Sequence, residues 1–221
     1  MTRDRFDGSR GDGGRHLDAS APRGSSRTDD RRSLRDRARI AQAAARLIAE
    51  HGITDWSLAK RKAARHLMLP EATPLPSNDD IERALSDHHA LFGGDVHAAC
   101  LRRQRTEALA WMQRLARWDP LLVGGVAAGW ATEHSDIRLE LVADDPKTVE
   151  IELASAGVVY AASPPGDDAD RPQGITQLRI VTRDAAIRLC ILSPAQRRNR
   201  PRKVDEPRLA AAGVAALLAR G

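Results

Sequence analysis

The stretch LLVGGVAAGWATEHSDIRLEL, residues 121–141, carries the residues of this chain best suited to chemistry. Gly124 and Gly125 interrupt an apolar run, and backbone without side chains can approach an anion closely. After the ten residues 126–135, Asp136, Arg138 and Glu140 recur at every second position. On a strand that spacing turns all three towards one face. Carboxylates on one face suit a hard divalent cation, and arginine beside bare backbone suits a phosphate. The residue types point to a nucleotide or other phosphorylated ligand, bound with or without a metal. A plainer reading makes Asp136 and Arg138 an ion pair on a solvated sheet face.

Such a site needs a strand–turn–strand frame. The pattern predicts strands over 121–127 and 136–142, with the glycine turn between them. Asp145 can cap a helix over 146–156, with Pro146 at its first position. A short strand follows at 158–161, then a loop or hairpin excursion over 163–174. Apolar alternation over 176–182 and 186–192 predicts a hairpin turning at Arg183 and Asp184, with Arg188 the one charge on its second strand. Residues 195–205 read as a basic spacer and 206–221 as a closing helix.

Upstream the periodicity is helical. Leu34, Ala38, Ala41, Ala45 and Ile48 share one face of a helix that Ser33 can cap and Gly52 can stop. A second helix over 55–67 buries Trp56, Ala59, Ala63 and Leu67, and shows Lys60, Arg61, Lys62 and Arg65 outside. This basic patch could face the glycine turn and help to hold a nucleotide or RNA backbone, or simply be a solvated face. Pro70, Pro74 and Pro76 break the chain before a third helix at Ser77, whose apolar stripe is Ile81, Ala84, Leu85, His88 and Leu91. A fourth, over 95–118, packs through Ala108, Trp111, Met112, Leu115 and Trp118.

Composition narrows the classes. Residues 1–33 hold eight Arg and six Asp and little that is apolar, so they read as a disordered tail. The 221 residues carry a net charge of +5, compatible with polyanion binding, but aromatics at 3% are too sparse for a base-stacking platform. Cys100 and Cys190 suggest neither a disulfide framework nor a zinc site. No apolar run is long enough to cross a bilayer, and the first residues lack a signal-peptide core, which places the protein in the cytoplasm as a soluble chain. A helix-turn-helix reading of residues 39–67, which would make the chain a helical nucleic-acid-binding protein, stands as a further alternative that the spacing disfavours. The proline segment separates the basic helix from the next one, which opens with Asp79 and Asp80, the wrong charge for DNA.

Val123-Gly124-Gly125, followed ten residues later by Asp136-Ile137-Arg138-Leu139, resembles the signature of the nucleotidyltransferase superfold, the minimal nucleotidyltransferase and polymerase β-like enzymes. The resemblance covers residues 105–192. It implies an α+β fold: a helical segment over 34–104 packed on a small mixed-sheet nucleotidyltransferase-like domain over 105–194. It further implies an NTP and Mg²⁺, with Asp136 as metal ligand, Glu140 as substitute carboxylate, and Gly124 and Gly125 admitting the triphosphate. The chain departs from that pattern at Arg138, where the second carboxylate belongs. It departs again at Gly125, where active members often carry Ser, and on the later strand, where Arg188 stands and no third carboxylate is found. The expectation is therefore a nucleotide-binding protein with a degenerate metal site, in which Arg138 grips phosphate directly; the alternative is an active Mg²⁺-dependent transferase. DWSLAKRKAA, residues 55–64, resembles a block in proteobacterial proteins that pair it with this motif, some labelled Mur-type ligases; the GxxxxGK[ST] loop of ATP binding is absent.

Overall fold

The computed structural model describes residues 25–162, 175–183, 185–200 and 206–220, with side chains from residue 28. The expected tail therefore lies mostly outside the described residues, as do the excursion over 163–174 and Arg202 and Lys203 of the spacer. The fold is α+β, as the sequence predicts.

Three helices make the first core. Helix α1 (Ser25–His51) begins eight residues before the expected cap at Ser33, because nothing between Gly24 and Gly52 breaks a helix. Helices α2 (Trp56–His66) and α3 (Asn78–Phe92) start where their side chains cap them: Asp55 accepts from the Leu58 N–H, and Ser77 and Asp80 form a reciprocal capping box. Ala41, Ala44, Ala45, Ala59 and Ala63 line the seams and let the helices approach closely, with Ile40, Ile48, Ile81 and Leu85 filling the space between. Leu91, expected on the buried stripe, is 75% exposed. Eleven residues part α2 from α3, too many for a helix-turn-helix.

Helix α4 (Gly94–Arg114) leads into a five-stranded sheet of order β1-β2-β5-β4-β3. Strand β1 (Leu121–Val123) is antiparallel to β2 (Ile137–Val142), which is parallel to β5 (Ala186–Leu192). Strands β4 (Thr176–Val181) and β3 (Tyr160–Ala162) complete it antiparallel. Ile137, Leu139, Leu141, Ile187, Leu189 and Ile191 turn to one face. There they meet Trp111 and Met112 of α4, Val149 and Leu153 of α6 (Pro146–Ser155), and Val214 of α8 (Ala211–Arg220). The alternate residues Arg138, Glu140, Arg188 and Cys190 are forced to the opposite face.

Three further expectations change. The first strand ends at Val123, and Gly125–Ala128 is a single helical turn, α5, because Gly124 takes the left-handed φ of +70° and breaks the ladder. The spacer holds a helix, α7 (Pro194–Asn199), capped by a Ser193–Gln196 box. After it, Leu209 pairs with Leu122 at the sheet edge, so the closing helix expected over 206–221 starts only at Ala211.

The core assignment predicts that Leu139→Ala, at a fully buried position, costs about 2–5 kcal/mol. Leu91→Ala should stay within about 0.5 kcal/mol of the parent. Urea unfolding of the two variants checks this.

Candidate functional site

The glycine turn and the charged strand do converge. Val123 lies directly across from Arg138, so Gly124 sits at the level of the arginine's side chain. A Cβ on Gly124 would be 3.4 Å from Arg138 Cδ, ordinary van der Waals contact. Positive φ explains that glycine. Gly125 has a different reason: a Cβ there would lie 2.7 Å from the ring of Trp130, whose indole fills the space a side chain would take. The second glycine thus accommodates an indole, whatever else the turn binds.

Between the turn and β2, residues 129–135 are held from the helical side. Gln104 of α4 donates to the Thr132 carbonyl at 2.8 Å, and Arg105 Nε donates to the Val126 carbonyl at 3.1 Å. His97 Nε2 donates to the Gly129 carbonyl at 3.0 Å, which fixes its tautomer. Trp130 meets Trp56 of α2 with ring centres 5.4 Å apart, and the His134 ring occupies the space beside Gly52. The Ser135 hydroxyl accepts from the Thr132 N–H at 3.0 Å. Contacts from α2 and α4 thus set where Asp136 enters its strand.

Asp136 is 15% exposed and already engaged. Arg188 donates to its Oδ2 through Nη2 at 2.6 Å and Nε at 3.1 Å, and Arg179 reaches Oδ1 at 3.6 Å. The sheet register puts Arg138, Arg188 and Arg179 side by side on three adjacent strands. Like charges directly opposite one another repel, and Asp136 offsets part of that repulsion. Arg138 makes no ion pair or hydrogen bond among the described residues. Sequence patterning assigns no role to Arg179 or Arg188, although one signal for them exists. The hairpin that the alternation predicts pairs β4 with β5 so that Arg179 lies opposite Arg188.

Glu140 shares the face of Arg138 but is fully buried, and its Oε1 is paired with Arg200, which follows α7. Oε2 has no partner among the described residues. Arg200 also lies 3.7 Å from Glu206. Cys190 is across the strand from Glu140, and burial pushes the pKa of its thiol up. Lys60 is not brought to the turn: its ammonium bonds Asn78 of α3 at 2.6 Å. Lys62 is exposed on α2. Among the described residues no cluster of three or more His, Cys, Asp or Glu side chains is placed to hold a metal ion.

A histidine pair stands behind the loop. His89 stacks on His97, ring centres 3.7 Å apart and 5° from parallel. Burial, then the neighbouring His97 and His88, lower the pKa of His89 to about 4. A depressed histidine binds its proton less readily folded than unfolded, so its neutral form supports the fold above pH 6.5, and that support is lost as pH falls towards about 4.

No protein-family model matches the chain, and neither the curated proteins nor the solved structures contain a significant match.

Two outcomes follow. The stability difference between the parent and His89→Gln should shrink as pH drops from 6.5 towards 4, measured by urea midpoints at each pH. Gly125→Ala should cost about 1–3 kcal/mol by displacing the Trp130 ring, with a matching change in tryptophan fluorescence.

Proposed function

We propose that this protein binds a nucleotide or another phosphorylated small molecule at the Gly124–Arg138 corner, and that the binding does not depend on a divalent cation. The observation that carries the reading is the pairing state of the charges there. Both oxygens of Asp136 face guanidiniums, whereas Arg138, packed beside the left-handed Gly124, has no carboxylate partner among the described residues. Mg²⁺ would need carboxylate oxygens turned towards a common point. Here one oxygen of Glu140 is on Arg200, and three arginines line the approach to Asp136, so a dication would meet repulsion. The donor set fits an anion better than a metal. A guanidinium binds phosphate bidentately with no ion between them.

The nucleotidyltransferase resemblance supports the ligand class, since in that family the glycine turn approaches a triphosphate. Arg138 and Arg188, at the positions where carboxylates are expected, supply the positive charge that metals would otherwise bring. Residues 129–135, held by α2 and α4, fix the geometry of the corner.

Thermal-shift measurements with NTPs, in EDTA and in Mg²⁺, test the reading. At a ligand concentration a hundredfold above Kd the stabilisation should be about 2.7 kcal/mol, roughly 5–10 °C for a chain of this size, and equal in both buffers. Arg138→Gln should remove most of it. Stabilisation that requires Mg²⁺ would restore an active transferase, and no shift with any nucleotide would reduce the row to a solvated ion-pair face.

A further inference from the structure

The site's aspartate is bound where a ligand anion would sit. Arg138, Arg188 and Arg179 stand one strand apart on the same face of the sheet, spaced about 4.8 Å from neighbour to neighbour. One phosphate group can be gripped by one guanidinium fork. A row of forks on adjacent strands matches anionic groups that are themselves side by side. Asp136, two residues before Arg138 on the same strand, lies beside this row and spreads its two oxygens over two of its members, Arg188 and Arg179. A carboxylate bridging two guanidiniums imitates a bridging phosphate.

We infer that the Arg138–Arg188–Arg179 row is a diphosphate-binding site, and that Asp136 is its built-in competitor, an internal anion that the ligand displaces. This rests on the phosphorylated-ligand reading above and adds the ligand's chemical class and two binding residues, Arg179 and Arg188. Arg138 supplies the first contact, since it makes no ion pair among the described residues and its Cδ lies beside the Gly124 backbone. The second phosphate then takes Arg188 from Asp136. Arg179 is the more accessible of the two Asp136 partners, with its side chain 46% exposed against 23% for Arg188, so it can follow the incoming anion. A tethered carboxylate competes at high effective concentration and therefore weakens every anion the row could hold. The consequence runs against a metal-ligand role: removing the charge of Asp136 tightens binding of the diphosphate.

The test uses the full chain in EDTA and titrates inorganic orthophosphate, inorganic pyrophosphate and a nucleoside diphosphate at constant ionic strength, read by calorimetry. Pyrophosphate is expected to bind at least several-fold tighter than orthophosphate. Asp136→Asn keeps the side-chain shape, removes the charge, and is expected to tighten pyrophosphate binding about tenfold, the factor attached to one charge-assisted contact. Arg179→Gln, at a half-exposed position where folding should be unaffected, is expected to weaken it by a similar factor. A nucleoside diphosphate tighter than pyrophosphate identifies a nucleotide as the source of the group; equal affinity identifies the bare diphosphate. Equal or weaker binding by Asp136→Asn, or an unchanged Kd in Arg179→Gln, overturns the inference. If the parent still binds NTPs in those circumstances, the broader reading survives. If neither parent nor Asp136→Asn binds any phosphate compound, both fall.

Discussion

Guanidiniums placed side by side on one sheet face are the constraint around which the sheet unit of this protein is built. Ile137, Leu139 and Leu141 must face α4 and α6, and the strand's period of two then sends Arg138 and Glu140 the other way. The same alternation on β5 sends Arg188 to that face, and the hairpin register adds Arg179. A burial requirement on one side of the sheet thus concentrates positive charge on the other. The two carboxylates on this face answer it separately: Asp136 joins Arg188 and Arg179 at one end, and Glu140 takes Arg200 further along β2. The first arrangement is partly exposed to solvent. The second is shut away from water, where breaking a pair leaves a charge without compensation, and so holds the chain after α7 across the sheet.

Local chemistry makes part of this legible in the sequence itself. The starts of α2, α3 and α6 follow from Asp55, Ser77 and Asp145, each of which accepts from a backbone N–H near the start of its helix. The hairpin of β4 and β5 follows from alternation around Arg183 and Asp184, and Gly124 lies beside Arg138 as their spacing implies. What the sequence hides depends on distant partners. Arg138 and Arg188 are 50 positions apart and become neighbours only through a parallel pairing, which no short-range signal fixes. Glu140 reads as solvent-facing by period alone, and only the returning Arg200 explains its burial. The extra turns of α1 before Ser33 carry almost no apolar residues, so periodicity gives no reason to place them.

Gly125 shows how one residue type can have two causes. In a motif it reads as room for a ligand. In the fold its missing side chain is the space occupied by Trp130, and that indole in turn rests on Trp56. The two glycines thus have different structural causes, and the φ of +70° at Gly124 marks which glycine the turn itself requires.

Trp130 belongs to the loop of the sheet unit, yet it packs against the core of the first three helices. Its indole ties the loop ahead of Asp136 to the helical core, meeting Trp56 of α2 with ring centres 5.4 Å apart. Loosening of α2 therefore withdraws the support of Trp130 from the segment that delivers Asp136 to its strand.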